Sequence, residues 1–534
     1  MAKATDATST DMPGISAFAV LLLFFAVPAH ASGGWNGWGA TPANTRFQSA
    51  AAAGLRADSV GHLKLRWAFG FPGASMAFSQ PAVARGVVFV GSDDGTVYAL
   101  DARSGRIRWS FSARGSVRTG FVIDGGLIYF GDQHGAVYAL EAGSGRLRWQ
   151  AQADSHPAAM ITGTPQLWKG RLFVPVASYE ENYAPSPGYA CCTFRGSVVA
   201  YQAATGTVLW KTYTVAARPR RTRRNRVGTQ LWGPSGSAVW SAPTLDPRRG
   251  VLYVATGNNY SDPVTGSSDA VLAMSMATGR ILWTRQLTPA DAYNAACENF
   301  MDPTLANCPP KRGPDFDFGS SPILVTVADG RKILIAPQKS GVVYGLDPVN
   351  AGRILWQTRI GEGGPLGGVE WGGATDGGSV YVALADCDWK TFDRVVDGKP
   401  SSYVDLDPRK GGGLFALRVS DGAKTWEALP SAACAGREHC SPAQLAAVTA
   451  IPGVVFSGSL DGHLRAYSAD SGRVLWDYDT EREFSTVNRV RAHGGSLNGP
   501  GPTIAGGLVF VNSGYGRFGE AAGNVLLAFG AAAN

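Results

Sequence analysis

Oxygen-bearing side chains stand at the ends of several predicted strands in the middle of the chain. Glu180 and Glu181 follow the apolar segment VPVAS, Asn258 follows VLYVATG, and Asp315 and Asp317 come just before a further strand. Carboxylates and amide carbonyls are ligands that a hard divalent cation such as Ca²⁺ prefers. If the fold brings these strand ends together, the sequence predicts a cation site.

Two further residues could act on a ligand at such a site. We expect Trp240, in AVWSAPTLDP, to begin one strand, and Lys339, in APQKSGVVYGLD, to lie at a hairpin turn. Each signal is weak alone, because a tryptophan in a strand is usually core and a lysine at a turn is usually solvated. These residues indicate a candidate cation site and no particular reaction.

Repeated hairpins are the elements that must position these residues. An alternating strand such as GTVYAL leads into a turn containing Ser-Gly or Thr-Gly, and a short strand then ends in tryptophan. The glycine can adopt a positive φ, and the tryptophan can pack on the next unit. The full copies end at Trp109, Trp149, Trp210, Trp283, Trp356 (one residue longer), Trp426 and Trp476.

This repeat predicts an all-β fold, an eight-bladed β-propeller. An eighth copy is split, since LKLRW ends at Trp67 and GNVLLAF (523–529) supplies its front half near the other end. We expect the N-terminal strand to pair with the C-terminal strand and close the ring, which leaves no free sheet edge. The alternative, an open solenoid, would not need a split copy.

The spacing between the tryptophans shows where extra loops are inserted. The first blades repeat at about 40 residues, the middle ones at about 60 to 70. The candidate residues above all lie in the middle blades. Loops on one face of a rigid scaffold often carry function, so we expect the site there.

The beginning of the chain predicts export. The apolar run AFAVLLLFFAVPA (17–29) is followed by an Ala-His-Ala site that ends at Ala31. This predicts a signal peptide over 1–31, a mature propeller over 32–534 and a periplasmic location. An uncleaved membrane anchor is the alternative, because only Lys3 is basic before the run. No other stretch could span a bilayer, so we expect no stable membrane insertion.

Seven cysteines fit an oxidising compartment. Cys191 and Cys192 are adjacent, and the pairing state of Cys387 is left open. No Cys-x-x-Cys-His motif occurs, so we expect no c-type haem attached to this sequence. Two plausible disulfides bracket short loops: Cys297–Cys308 and Cys434–Cys440.

The formal net charge is +7, and ARPRRTRRNR (217–226) contains six arginines. Such a run is usually a solvated loop. The alternative is a docking patch for an acidic partner, such as an electron-accepting protein. No aromatic residues interleave with the run, so we do not expect nucleic-acid binding.

From Trp35 to the C-terminus, the chain resembles the family of alcohol dehydrogenases that depend on pyrroloquinoline quinone (PQQ). Its repeat is similar to the tryptophan-docking motif of these quinoproteins. The resemblance implies that Glu181 (or Glu180, since the register is open) and Asn258 bind Ca²⁺. It also implies that Asp317, in Phe-Asp-Phe, contacts the ion and is the catalytic base.

The resemblance assigns further residues to the cofactor. Trp240, eighteen residues before the predicted Asn ligand, would form the floor under the quinone ring, and Lys339 would contact a quinone oxygen. Ser178, Arg118 and Thr162 match further cofactor contacts.

The Cys191–Cys192 pair also matches adjacent cysteines of the family. In methanol dehydrogenases these precede the third blade, whereas here they follow the Glu pair. Adjacent Cα atoms lie about 3.8 Å apart, below the usual disulfide range of roughly 4.4–6.8 Å. A bond between them would be stiff and would suit a flat lid over a planar cofactor. The alternative is two separate thiols, or two cysteines that each pair with a partner elsewhere.

The implied activity is PQQ- and calcium-dependent oxidation of an alcohol, with cytochrome c or another external acceptor taking the electrons. Ca²⁺ would act as Lewis acid, Asp317 would take the hydroxyl proton, and hydride would pass to the quinone. The stretches SYEE, CCTFRG and AHGGSLNGPGP resemble the polyvinyl alcohol dehydrogenases, implying an alcohol or polymer substrate.

Asp315 lies two residues before the base in a segment read as extended, and we predict that only Asp317 faces the substrate.

Two alternatives remain at this point. A non-catalytic scaffold of the outer-membrane assembly lipoprotein type would have the same repeat but not the acidic set or the middle insertions. A lanthanide-dependent dehydrogenase would be suggested by an extra Asp two residues after the base, where this chain has Gly319.

Overall fold

The computed structural model describes residues 33–396, 399–430, 434 and 436–531. The predicted signal peptide, 1–31, lies outside these residues. Within the described part of the chain, no helix is long and apolar enough to cross a membrane.

Eight antiparallel sheets of four strands form the blades of a β-propeller, as the repeat predicts. Blade 3 carries a further short strand, Ala159–Met160, against its second strand. Numbered along the chain, with strands given in sheet order, the blades are: blade 1, Ala82–Ala84, Val87–Gly91, Thr96–Asp101, Ile107–Ser112; blade 2, Val122–Asp124, Leu127–Gly131, Ala136–Glu141, Leu147–Gln152; blade 3, Gln166–Trp168, Arg171–Ser178, Ser197–Gln202, Val208–Tyr213; blade 4, Thr244–Asp246, Val251–Ala255, Ala270–Ser275, Ile281–Gln286; blade 5, Ile323–Thr326, Lys332–Pro337, Val342–Asp347, Arg353–Arg359; blade 6, Ala374–Thr375, Ser379–Ala383, Leu414–Arg418, Lys424–Ala428; blade 7, Thr449–Ile451, Val454–Gly458, His463–Ser468, Val474–Asp479; blade 8, Thr503–Ala505, Leu508–Ser513, Val525–Ala531, Leu63–Gly70.

Blade 8 closes the ring with strands from both ends of the chain. Leu63–Gly70 pairs antiparallel with Val525–Ala531, so that Leu63 lies opposite Ala531 and Gly70 opposite Val525. The predicted closure is therefore confirmed, and the open solenoid is wrong.

The repeated tryptophans join neighbouring blades. The indole N–H of Trp149 donates to the carbonyl of Ala203 in the next blade's turn at 2.8 Å. The glycine of that turn, Gly206, has a φ of +74°, and a Cβ there would lie 2.7 Å from the Trp149 ring. Glycine thus supplies both the turn conformation and the space for the ring. Equivalent bonds join Trp67 to Ala102, Trp109 to Ala142, Trp210 to Met276, Trp356 to Val419, Trp426 to Ala469 and Trp476 to Leu63.

Smaller elements occupy the insertions and the entry to the propeller. The paired strands are Arg220–Arg224 with Gln230–Gly233, Ser235–Gly236 with Asn259–Ser261, Trp389–Val396 with Lys399–Leu406, and Glu483–Phe484 with Ala492–His493. The α-helices are Ala50–Ala53 and Ala57–Val60, and the 3₁₀ helices are Glu180–Tyr183 and Ala295–Cys297. The predicted disulfides Cys297–Cys308 and Cys434–Cys440 are present, and Cys387 is buried without a disulfide partner.

Strand direction decides which loops meet. Because neighbouring strands of a blade run antiparallel, the connections from second to third strand emerge on the same face as the connections between blades. We call this the loop face. The tryptophan-docking turns, between third and fourth strands, lie on the opposite face. Glu181, Asn258 and Lys339 follow second strands, and Asp317 lies between blades 4 and 5. All four therefore reach the loop face.

Candidate active site

A cavity of about 380 Å³ opens among these loops. Its size falls in the range of small-molecule sites, about 300–1,000 Å³. The structure brings eight of the predicted site residues to its wall: Arg118, Thr162, Ser178, Glu181, Trp240, Asn258, Asp317 and Lys339. Their roles stay predictions, but their convergence from separate blades is a property of the fold.

Asp317 is held between two neighbours of the cavity. Its Oδ1 accepts a hydrogen bond from the backbone N–H of Asn258 at 2.7 Å, and its Oδ2 accepts one from Nε1 of Trp240 at 3.1 Å. A Cβ on Gly257 would lie 2.7 Å from Oδ1, so glycine permits this close approach. The carboxylate is thus fixed in position beside the indole.

Among the described residues, the side-chain oxygens of Glu181 and the amide oxygen of Asn258 have no hydrogen-bond partner. Nδ2 of Asn258 donates to the carbonyl of Tyr293 at 2.6 Å, which fixes the amide, while its buried Oδ1 has no hydrogen-bond partner. Burial and, second, the charge of Asp317 raise the pKa of Glu181 to about 8. A cation would satisfy both oxygens, since a buried polar atom without a partner is costly. The donor set therefore fits a hard metal ion.

The candidate metal ligands are not all Asp, Glu, His or Cys side chains, because one of them is an asparagine amide. Within the described part of the chain, no group of three or more such side chains is arranged to hold a metal. The candidate site needs the amide of Asn258 as its third oxygen donor.

The carboxylate of Glu180 is already hydrogen-bonded to other residues of the protein. Its carboxylate accepts hydrogen bonds from the backbone N–H groups of Thr193 and Phe194, each at 2.8 Å, and from the Tyr189 hydroxyl at 3.1 Å. Ser178 Oγ accepts from the Glu180 N–H at 2.9 Å. Glu180 therefore anchors the segment after the cysteine pair, and the geometry favours Glu181 as the metal ligand.

Asp315 also faces the cavity, so the prediction that it points away is wrong. Residues two apart in an extended segment lie on the same face, so alternation gave no reason to separate Asp315 from Asp317. The segment is also irregular, with a φ of +60° at Asp315. Its Oδ2 accepts a hydrogen bond from Nζ of Lys339 at 2.8 Å, in a pair that is almost fully buried. Burial alone would lower the pKa of Lys339, but the charge of Asp315 and nearby carboxylates raises it. Lys339 therefore stays charged.

Trp240 forms part of the cavity wall, although it does not begin a strand. It lies in an irregular segment before the strand that starts at Thr244. Its ring is half-buried and meets that of Trp371 edge-on, with centroids 5.3 Å apart. Thr162 Oγ1 donates to the Trp240 carbonyl at 3.1 Å, so Thr162 helps to position this residue.

Arg118 also lines the cavity, where it packs against Trp371. Its guanidinium lies 4.4 Å from the centre of the Trp371 ring and donates a short hydrogen bond to the Tyr515 hydroxyl. Burial lowers the pKa of Arg118 to about 10, so it remains a cation near neutral pH. It can therefore attract an anionic group of a bound ligand.

The cysteine pair does not cover this cavity. Cys191 and Cys192 form a disulfide, but both are buried in a core cluster with Phe194 and Tyr260, and neither lines the cavity. The pair therefore does not line the cavity as the predicted lid would, while the bonds to Glu180 hold the residues that follow it, Thr193 and Phe194.

Sequence reasoning missed Glu370 and Trp371. Both line the cavity, and Oε1 of the buried Glu370 has no hydrogen-bond partner in the described part of the chain. Burial, partly offset by the charge of Lys339, raises the pKa of Glu370 to about 7. Their segment, GGVEWGG, follows no spacing rule that would single it out.

An eight-bladed propeller whose loop face holds a buried carboxylate–amide–tryptophan site defines the quinoprotein class. A family described as "Outer membrane protein assembly factor BamB" matches residues 62–286 and 223–521. "Polyvinylalcohol dehydrogenase" from a Pseudomonas sp. is 43% identical over 93% of this chain and 76% of that protein.

Two solved structures share the fold. The quinohemoprotein alcohol dehydrogenase from Comamonas testosteroni has a TM-score of 0.67 at 20% identity, covering 95% of this chain and 82% of that one. A europium-containing methanol dehydrogenase has a TM-score of 0.66 at 18% identity, covering 93% and 98%. The chain belongs to the PQQ-dependent alcohol dehydrogenase family, as the motifs predict. It is an enzyme.

Proposed function

We propose that this protein is a periplasmic, calcium-dependent quinoprotein that oxidises secondary alcohol groups of polyvinyl alcohol or a related polyol. Electrons leave to an external acceptor such as cytochrome c. The observation that carries the proposal is the convergence of Glu181, Asn258 and Asp317 in one cavity beside Trp240.

PQQ, when bound, supplies a two-electron acceptor, and the cation polarises it. Glu181, Asn258 and Asp317 would hold the ion, and Trp240 would offer the flat surface on which the cofactor rests. Asp317 would take the proton of the substrate hydroxyl on a carboxylate oxygen. Its two hydrogen bonds keep it oriented before substrate arrives, which is a requirement for efficient proton transfer.

The lack of space at Gly319 favours calcium over a lanthanide. A Cβ there would lie 2.0 Å from the Trp240 ring and 2.4 Å from the carbonyl of Glu370, so no carboxylate side chain fits at this position. The other nearby candidate, Asp315, already pairs with Lys339.

The mouth of the cavity supports a polymeric substrate. Phe300, Met301 and Phe518 line it and are 52%, 45% and 39% exposed. The ring of Phe300 lies 5.4 Å from that of Trp389, whose Nε1 donates to the Phe518 carbonyl at 3.1 Å. We call these four residues the apolar rim. A hydrocarbon chain with spaced hydroxyls could rest on the rim while one carbinol enters the cavity.

The test is reconstitution of the purified apoprotein with a small uncharged dye as acceptor. We expect activity on polyvinyl alcohol and on 2,4-pentanediol, a short analogue of its repeat, only after PQQ and Ca²⁺ are added. La³⁺ in place of Ca²⁺ should give little activity. Absence of both PQQ binding and turnover under every metal would refute the proposal.

A rim variant tests the polymer. Phe300→Ala should raise KM for polyvinyl alcohol several-fold and leave KM for 2,4-pentanediol unchanged, because only the polymer reaches the rim. Val349→Ala is the matched control, since Val349 is 62% exposed in a tryptophan-docking turn on the opposite face. An equal change for both substrates would argue against a role in polymer binding.

A further inference from the structure

The arginine run forms a strand of a protruding hairpin, not the solvated loop that such a run usually forms. Arg220–Arg224 pairs antiparallel with Gln230–Gly233. We call residues 218–233 the arginine hairpin. Alternate residues of a strand point to opposite sides, so consecutive arginines place positive charge on both sides of the hairpin. Exposed arginines stand at positions 218, 220, 221, 224 and 226.

Most of this charge has no close carboxylate partner. None of the six arginines forms an ion pair within 4 Å among the described residues, although Arg226 lies near enough to Asp302 to help lower its pKa. Arg224 instead donates to the carbonyl of Gly228 at 2.7 Å, and Arg221 lies over the ring of Trp232. Arginines on the opposite face are paired more often, as Arg146 is with Glu141. The hairpin therefore presents a concentrated positive field to solvent.

The hairpin is fastened to the loop that forms the mouth of the cavity. Arg223 donates to the carbonyl of Cys308 at 2.8 Å, and Asn225 Nδ2 donates to Oδ1 of Asn307 at 2.8 Å. Both acceptors belong to the loop closed by the Cys297–Cys308 disulfide, which also carries Phe300 of the apolar rim. A protein bound to the hairpin would thus lie beside the cavity in which the substrate is oxidised.

We propose that the arginine hairpin is the docking surface for an acidic one-electron haem protein that reoxidises the enzyme. The inference rests on the proposed function. Oxidation of one carbinol to a ketone releases two electrons and two protons. Two oxidised haem proteins, bound in succession, each take one electron, and the protons pass to water. The position beside the cavity favours a redox protein over an anionic lipid surface.

The probe pair is mitochondrial cytochrome c, which is cationic, and its lysine-succinylated derivative, which is anionic. The test variant is R218Q/R220Q/R224Q/R226Q, which keeps Arg223 and Arg221 in their contacts. The matched control, R103Q/R106Q/R280Q/R473Q, removes the same charge from exposed turns on the opposite face. A small uncharged dye measures turnover without docking.

At about 10 mM salt we expect the test variant to reduce the succinylated protein at least tenfold more slowly, within the roughly 10–10³-fold range of electrostatic steering. The difference should largely disappear near 1 M salt, where the Debye length is about 3 Å. The control variant should match the wild type, and dye turnover should be unchanged in both variants. Reduction of unmodified cytochrome c should not slow.

Other outcomes overturn the inference. An unchanged rate with the succinylated protein would remove the docking role, and equal loss with the dye would assign the hairpin to the fold or the substrate site. Charge-dependent binding to phosphatidylglycerol vesicles, with acceptor rates unchanged, would assign it to a membrane surface. A wild-type enzyme inactive even with the dye would instead contradict the proposed function.

Discussion

Replacing Asp317 by asparagine changes a charge and also reverses one hydrogen-bonding role. In the native site one carboxylate oxygen accepts from a buried donor, the Asn258 N–H, and the other from a half-buried donor, the Trp240 indole. An amide has one accepting and one donating end. Asp317→Asn must therefore place its NH₂ group against one of these N–H groups, whichever way the amide is turned.

The two hydrogen-bond distances indicate which way the new amide turns, and its orientation sets the loss of stability. The bond to the Asn258 N–H is shorter, 2.7 Å against 3.1 Å, so we expect the amide oxygen to keep it and the NH₂ to face Trp240. A buried donor left without an acceptor costs about 1–3 kcal/mol. Trp240→Phe removes that donor. Because the indole is only half-buried, we expect the lower end of this range: in a protein carrying Trp240→Phe, Asp317→Asn should destabilise the fold by about 1 kcal/mol less than it does alone.

Turnover should respond differently from stability. Loss of a proton-transfer residue typically costs about 10²–10⁴-fold in rate, or roughly 3–5 kcal/mol of barrier. We expect Asp317→Asn to lose this much turnover whether or not the indole is present, while PQQ still binds.

The measurements are urea unfolding of the four apoproteins, which forms a double-mutant cycle, with dye-linked turnover and PQQ titration. A coupling energy below about 0.5 kcal/mol would refute the hydrogen-bond argument. Asp315→Asn is the control, because its amide oxygen can still accept from Lys339. If Asp315→Asn abolished turnover and Asp317→Asn did not, the assignment of the base would be wrong.

Two further predictions concern the wall of the cavity and the blades. Trp240→Ala should weaken PQQ binding with little effect on the melting temperature, because the ring is half-buried; a large loss of stability with unchanged affinity per folded molecule would make it ordinary core. Gly206→Ala should destabilise by about 1–3 kcal/mol more than Gly250→Ala in thermal melts, since both have positive φ but only Gly206 abuts an indole, that of Trp149. Equal losses would show that the indole contact contributes nothing.

The sequence by itself determined the propeller and its closure. Each hairpin is encoded locally by an alternating strand, a glycine that accepts positive φ and a tryptophan, and the split copy at Trp67 specified how the ring closes. The period of the repeat is a local property, so tertiary contacts were not needed to read it. The disulfides Cys297–Cys308 and Cys434–Cys440 followed from short spacing.

The tertiary structure decided which side chains face the cavity. Asp315 pairs with Lys339 in an irregular segment, and the backbone N–H groups of Thr193 and Phe194 bind Glu180 and leave Glu181 for a ligand. Glu370 reached the cavity from a segment without any recognisable motif. These residues lie in the connections between strands, where side-chain direction is set by contacts with other segments and not by the period of a strand. No pattern within one segment can record such contacts.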